Sequence, residues 1–505
     1  MAPTVRPGGL RVKGPAWLQC AKLDGMPEPI ATATTAAPAR GALLRSLFGS
    51  VRLAYVPVLV TYFCYGASGI TSIALLYFQK DALGITPAEA AAIAFWVALP
   101  WSTKMVAGVA SDVHPIFGRR RVSYLLLGAL LTFGGYGWLA TTASTKGTYL
   151  AAMVIIAVGF MVQDVVADAL SVELARTDEE VKQIQTLGRM ALLAGTISVG
   201  YLSGWLAGAL GPRPVFAIAL LLPALVMAAA GLIPRETARA MAPGEEANPL
   251  GAGKSRLVVL VGLGYAALGV ALEALSVPFG QEIILVVSGG LIVMLLQRVG
   301  ISRAVAVAAF AIFCFRAVPS PGQGFSYWAI DRLGFDQEFL GVLAQMSAML
   351  SLVGLIVFRK PITHRPVSYT LFWVTIAGAV LYLPTIGLFY GVNEWFGVSA
   401  RTFAFIDTTI SAPLGQLSMV PMLALIARTA PRGAEATMFA IMASLMNLAL
   451  SASELGTRYL NTLFGVTQQD YSNLGRLLIC VGVIGLLPLL ALSLLRHVEA
   501  ESETA

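Results

Sequence analysis

The chain has 505 residues, 57% of them hydrophobic and only 12% charged, and its mean hydropathy is +0.77. Soluble domains carry about 25% charged residues, so an ordinary water-soluble architecture is excluded. The net charge of +7 does not point to nucleic acid: no basic helix with interleaved aromatics is present, as single strands would need.

Residues 1–53 are polar, rich in Pro, Ala and Arg and poor in acids. They lack the hydrophobic core of a secretory signal. A disordered cytosolic tail is expected, and an organellar transit peptide has the same composition. Apolar runs follow, each near the roughly twenty residues that cross the hydrocarbon layer as helix. Lipid offers the backbone no partner, so these spans are expected to be helical. The alternating strands of a membrane barrel are not seen.

Fourteen spans are predicted. Six lie near 54–79, 88–110, 123–143, 148–171, 187–210 and 213–233. A polar linker runs from Pro234 to Arg256, with Pro and Gly marking a boundary between halves. Two further spans lie near 257–275 and 278–297. The last six lie near 303–328, 338–358, 367–390, 402–427, 434–457 and 474–495. Basic residues cluster in every second loop: Arg119 to Arg121; Arg176 and Lys182; Arg235, Arg239, Lys254 and Arg256; Arg298 and Arg303; Arg359, Lys360 and Arg365; Arg428 and Arg432. The opposite loops hold mostly single cations. By the positive-inside rule both termini are expected in the cytosol, in an inner or plasma membrane.

The two sets of six echo each other at an offset of 250 residues: Tyr62-Phe63-Cys64-Tyr65 against Ile312-Phe313-Cys314-Phe315, and Leu83-Gly84 against Leu333-Gly334. Parallel repeats of this kind build the major facilitator fold, with substrate near the midplane between halves. The expected organisation is an all-α polytopic membrane protein. A tail covers 1–53, a six-helix bundle 54–233, a linker with an extra helix pair 234–302, a second bundle 303–496 and a tail 497–505. The extra pair is expected to be a packing element without transport chemistry.

Catalytic and metal readings fail on inventory. The four cysteines are scattered, and the three histidines sit in loops or the tail. There is no phosphate-binding loop and no zinc-binding helix motif. No cofactor is expected, and energy would come from an ion gradient or from the substrate gradient itself.

Ionisable residues inside spans carry function by default, because each costs several kcal/mol unless paired or hydrated. Asp164 and Asp168 are four apart and share a helical face. Two carboxylates so close do not both ionise easily, so one can hold a proton. They could instead be neutralised by Lys104 or Arg189. Lys104 could meet a substrate carboxylate or serve as Asp164's permanent partner, and Arg316, beside Pro319 and Pro321 where the helix is expected to break, faces the same choice. Gln163, Gln416 and Asp407 are candidate hydrogen-bonding groups. Tyr65 and Phe315 could stack on a ligand or simply pack.

Gly108 to Asp112, followed by Gly118-Arg119-Arg120-Arg121, resembles the cytosolic loop signature of the major facilitator superfamily. Asp112 with Arg119, Arg120 and Arg121 is then a candidate gate, a latch made in one state and broken in the other. Leu99-Pro100-Trp101-Ser102-Thr103-Lys104, Ser111-Asp112 and the run Pro115 to Arg121 resemble the folate–biopterin transporter family. So do Asp164-Val165-Val166-Ala167-Asp168 with Glu173 and Arg176, Leu333-Gly334-Phe335 with Glu338 to Gly341, and Gly415-Gln416 with Ala434 to Ala440. Met105 stands where the family usually has proline, and Arg119 where it has an aromatic.

The resemblance covers about 54–234 and 303–496. It implies transport of folates or pterins by alternating access, with a small-molecule substrate, the lipid bilayer and protons as partners and no nucleic acid. A related branch that delivers chlorophyll-type pigments to light-harvesting complexes shares the loop signature and is the alternative, with export of another metabolite as a third.

Overall fold

The computed structural model describes residues 52–233, 252–299, 302–363, 365–415, 417–429 and 435–504. The expected N-terminal tail and most of the linker lie outside them. Regular structure among the described residues is helical, apart from one isolated bridge between Ile116 and Arg119.

The first six spans are α1 (Leu53–Ala82), α2 (Pro87–Val113), α3 (Arg121–Thr141), α4 (Lys146–Glu173), α5 (Asp178–Leu210) and α6 (Pro212–Ala230). The inserted pair is α7 (Ala252–Ala274) and α8 (Gly280–Val299). Then come α9 (Arg303–Arg316), α10 (Gln323–Leu333), α11 (Gln337–Thr363), α12 (Val367–Phe389), α13 (Ala400–Ser411), α14 (Met419–Thr429), α15 (Glu435–Leu463) and α16 (Leu474–Arg496). Twelve of these are long and apolar enough to cross a bilayer. The other four form two broken spans, α9 with α10 and α13 with α14, which brings the count to the predicted fourteen.

Span 303–328 breaks beside Pro319 and Pro321, which cannot continue a helix, as expected. Three boundaries differ from the sequence reading. Span 402–427 is also interrupted, where Pro413 with Gly415 ends the helix. Helix α7 begins at Ala252, inside the expected linker. Helical structure also runs on past α16 to Thr504.

Local chemistry sets the ends. Thr86 and Glu89 form a reciprocal capping box at the start of α2, with Pro87 in its first turn. Gly211 takes φ +77° and Pro212 follows, so α5 turns sharply into α6. Helix α2 is broken inside the membrane. Pro100 removes one backbone donor, and Thr103 leaves helical geometry at φ −107°, ψ 15°. Ser102 and Thr103 hydroxyls donate back to Leu99 and Pro100 carbonyls at 2.7 and 2.9 Å. The break thus forms although Met105 replaces the family's usual proline.

Within the first half, small residues let helices approach closely. A Cβ on Gly159 would lie 2.4 Å from Thr132 Oγ1 on α3, and one on Gly66 would lie 1.9 Å from the Leu192 carbonyl on α5. The halves meet along two seams, α2 with α15 and α5 with α11. At the first, Asn447 Nδ2 donates to the Trp101 carbonyl at 3.1 Å, and Leu455 packs near Phe95, Trp96 and Leu99. At the second, Gly204 touches Gly341, Tyr201 donates to Glu338 at 2.7 Å, and the Tyr201 N–H donates to Gln345 at 3.0 Å.

Further links lie at the face opposite the basic loops. Lys80 pairs with Asp331 at 2.6 Å, Tyr77 donates to the Phe335 carbonyl at 3.1 Å, and Gln468 donates to the Ile85 carbonyl at 2.9 Å. Asp336 caps α11 there: the Phe339 N–H, and then Arg401, hold its carboxyl below the usual range. That small stabilisation is present above the unfolded carboxyl's pKa and fades as pH falls through the lowered one. These links, with those of the two seams, close the halves from mid-depth toward this face.

The inserted pair rests on both halves. Helix α7 packs on the second piece of α2, and α8 packs on α15 and α2. Gln281 at the start of α8 donates to the Ala92 carbonyl at 2.9 Å and accepts from Arg458 at 2.8 Å.

Gly204→Val should part the second seam, because its new Cβ would sit 2.1 Å from the Gln337 carbonyl. Overpacking of this kind costs about 1–3 kcal/mol. Spin labels at the Leu210 and Gln337 ends of α5 and α11 should move to longer distances. An unchanged distance distribution would show that the seam does not depend on the glycine contact.

Candidate functional site

The break in α2 makes Lys104 the first residue of its second piece, and α4 runs beside it. Asp164 and Asp168, one turn apart on α4, both receive the Lys104 ammonium. Nζ donates to Asp164 Oδ2, and to Asp168 Oδ2 at 2.9 Å. Tyr62 of α1, only 4% exposed, donates its hydroxyl to the other Asp168 oxygen, Oδ1. The Arg189 guanidinium of α5 stands 6.0 Å over the Tyr62 ring. Four helices therefore converge on one cluster. Lys104 is the one cation bonded to the two carboxylates, and the exposed Arg189 guanidinium stands nearby without a bond to either. The side chains of Lys104 and Asp168 are 31% and 38% exposed and that of Asp164 13%, so Asp168 is the open end.

An aromatic wall adjoins the cluster. The Tyr65 ring stacks on Trp101 at 5.5 Å and lies 5.4 Å from Phe160. Its counterpart Phe315 packs against the second-half core. Gln163 is turned away from the carboxylates. It is 2% exposed and donates to Thr132 Oγ1 at 2.9 Å and to the Gly159 carbonyl at 3.1 Å, tying α3 to α4.

The second half is arranged differently. Arg316 is the last residue of α9, half-buried, and its Nε is buried without a hydrogen-bond partner among the described residues. A cation at a helix C-terminus is favoured by the helix dipole. Asp407 on α13 likewise has a buried Oδ1 without a partner. Gln416 lies outside the described residues. Glu454 on α15 is half-buried and has no hydrogen bond or ion pair among the described residues. It shares a face of α15 with Asn447, which meets Trp101 across the seam. The sequence reading passed over Glu454, although a carboxylate inside an apolar run is the very signal that identified Asp164. Tyr62 was also missed as a donor, since an aromatic in a membrane helix carries no such signal.

The loop cations form a latch within the first half. Arg121, 6% exposed, donates to Asp112 at 2.5 Å, Glu173 at 2.7 Å and Ser111 at 2.6 Å. Arg120 reaches Asp112 at 3.4 Å. Arg119 is exposed and stands outside the network. The latch joins the ends of α2, α3 and α4, and no described second-half residue takes part.

Lys104→Met would leave two partly buried carboxylates face to face. Breaking a buried pair by removing one partner costs about 3–5 kcal/mol, so the purified protein should melt at clearly lower temperature. Adding Asp164→Asn and Asp168→Asn to that variant should restore most of the loss. A Lys104→Met melting temperature equal to wild type would show that the lysine does not hold the carboxylates.

The BT1 family profile matches residues 66–504. A folate-biopterin transporter of Synechocystis sp. is 31% identical, covering 87% of this chain and 81% of that protein. A putative folate transporter of Plasmodium berghei is 23% identical, covering 87% and 86%. A probable folate-biopterin transporter of Arabidopsis thaliana is also 23% identical, covering 85% and 92%. Among solved structures, a POT family transporter crystallised with 5-aminolevulinic acid superposes with a TM-score of 0.67 at 16% identity, over 88% of this chain and 96% of that one. A bacterial homologue of the human drug peptide transporters superposes with a TM-score of 0.59 at 16% identity, over 88% and 99%. These likenesses show the fold to be that of the major facilitator superfamily. The profile match over most of the sequence and a relative above 30% identity make this multi-pass membrane protein a member of the BT1 family.

Proposed function

We propose that this protein is a secondary active transporter of folates and pterins that works by alternating access with protons as the coupling ion, and not an enzyme. The relatives' folate and folate-biopterin transport supports the substrate class. The observation that carries the coupling is the cluster of Lys104, Asp164, Asp168 and Tyr62. Two carboxylates one turn apart share a single bonded ammonium, which makes the pair the natural place for a proton, and Asp168, the open end, is the group that takes it. A proton there weakens the hold on Lys104, so proton binding and helix rearrangement become one event.

The second half supplies unmatched groups. Arg316 is the partner for a substrate carboxylate, such as the glutamate tail of a folate. Glu454 has no donor among the described residues, so it can accept two hydrogen bonds from the 2-amino and ring N–H groups of a pterin. Asp164 and Asp168 already hold donors and suit that task less. The basic loops favour both termini in the cytosol of an inner or plasma membrane. With the opposite face closed, the conformation described is the inward-facing one. The Asp112–Arg121–Glu173 latch then belongs to the gating machinery, keeping α2, α3 and α4 together as one body while the halves rock.

Uptake of labelled folic acid, 5-formyltetrahydrofolate and biopterin into a folate-transport-deficient bacterial host tests the assignment. Saturable uptake that a protonophore abolishes is expected. No uptake of any pterin, with the protein confirmed in the membrane, would overturn it. Asp168→Asn should lose accumulation against a gradient yet retain exchange of substrate between two equal pools. Full accumulation by that variant would remove the proton role.

Arg316→Gln should raise the KM for folates about tenfold or more, the worth of a hydrogen bond to a charged group. The KM for biopterin, which has no carboxylate, should hardly change. Equal effects on both would place Arg316 outside the substrate site.

A further inference from the structure

Between the inserted pair and the rest of the protein lies a groove with apolar walls. Helices α2, α7, α8 and α15 all contribute, with Met105, Val106, Val258, Val261, Leu291 and Leu295 among the lining residues. Its two ends differ. At one end Arg298, in the last turn of α8, lines the groove, and Arg256 of α7 is exposed at the same level. At the other end Tyr265 and Ser288 hydrogen-bond to each other at 2.6 Å. Ten residues of α8 separate Ser288 from Arg298, or about 15 Å at 1.5 Å per residue. That is about half of the roughly 30 Å hydrocarbon thickness, so the groove spans one leaflet, with its cationic end at headgroup level on the basic-loop side. Only the Ser102, Thr103 and Ser444 hydroxyls interrupt the apolar walls between these ends, and the medium outside them is lipid.

We propose that this groove holds one acyl chain of an anionic phospholipid, with the phosphate and headgroup on Arg298 and Arg256. Thr103, the residue at the break in α2, also lines the groove, while the next residue, Lys104, reaches the other way to Asp164 and Asp168. Helix α7 presses close: a Cβ on Gly262 would lie 2.3 Å from Val106. A bound chain therefore braces the hinge that carries the lysine. Its effect on transport rests on the function proposed above; its binding does not.

Native mass spectrometry of the full-length protein, released from mixed phosphatidylglycerol and phosphatidylcholine vesicles, reads binding directly. One retained phospholipid is expected, with phosphatidylglycerol preferred roughly tenfold, in keeping with two arginines near the headgroup. Arg256→Gln with Arg298→Gln should abolish the preference but not the retention of a lipid. Val258→Trp should remove retention by filling the groove. Val261→Phe, a smaller change, should weaken it in a protein whose melting temperature matches wild type.

Equal retention in wild type and both filled variants would overturn the proposal. So would retention without headgroup preference, detergent alone in the groove, or a second copy of the chain cross-linked to it. If lipid binds as expected and uptake proceeds equally in phosphatidylglycerol and phosphatidylcholine vesicles, the bracing role falls. If lipid binds and no pterin is transported in either, the functional reading falls and the site stands.

Discussion

One ammonium shared by two carboxylates inside a bilayer constrains this fold more than any other contact. An unpaired charge at that depth costs several kcal/mol, so the three side chains must stay within hydrogen-bonding distance of one another. That requirement explains the interruption of α2. Pro100 and Thr103 break the helix one residue before Lys104. It also fixes the rotation of α4, whose Asp164 and Asp168 face inward while Gln163 turns to α3. Tyr62 completes the set from α1 by giving Asp168 a second donor. Three spans are thereby locked in rotation by five polar atoms.

The two halves treat their charges in opposite ways. In the first, Lys104 meets both aspartates, Arg121 meets Asp112 and Glu173, and Arg52 meets Glu180 at 2.8 Å. In the second, Arg316, Asp407 and Glu454 each retain polar atoms without a partner among the described residues. Interruptions occur in both halves: α2 breaks just before Lys104, and Arg316 sits at one of the two interruptions in the second half. A satisfied network rigidifies, while unmet groups are poised for something from outside. The proposed mechanism uses both properties, a firm first half that handles the proton and a receptive second half that reads the substrate.

Much of this was legible in the sequence, for physical reasons. Spans are legible because lipid tolerates so few residue types, and charges inside them stand out against that background. Lys104, Asp164 and Asp168 were found that way, and their mutual pairing was among the alternatives. Glu454 obeyed the same rule and was overlooked. Gln163 was a hydrogen-bonding candidate, but it stands one residue from Asp164, a 100° turn along the helix, which sends it to another interface. Pro319 and Pro321 announced one helix break, and Pro413 with Gly415 offered the same signal for the second. The groove beside the inserted pair had no sequence mark, because it is made by four helices from distant parts of the chain. The latch was legible as a cluster of opposite charges, but not that Arg121 rather than Arg119 would be its centre.

The inserted pair has a mechanical consequence. Gln281 alone touches α2 through Ala92 and α15 through Arg458, so the first helix seam is stitched by a third body. The other seam, between α5 and α11, has no such stitch and relies on glycine contact and a few exposed polar bonds. Two covers joined along one edge by a bound spine can swing only at the free edge. If the halves rock as proposed, the motion is that of a book rather than a clamshell: the pages part at α5 and α11 while the distance across α2 and α15 stays nearly constant.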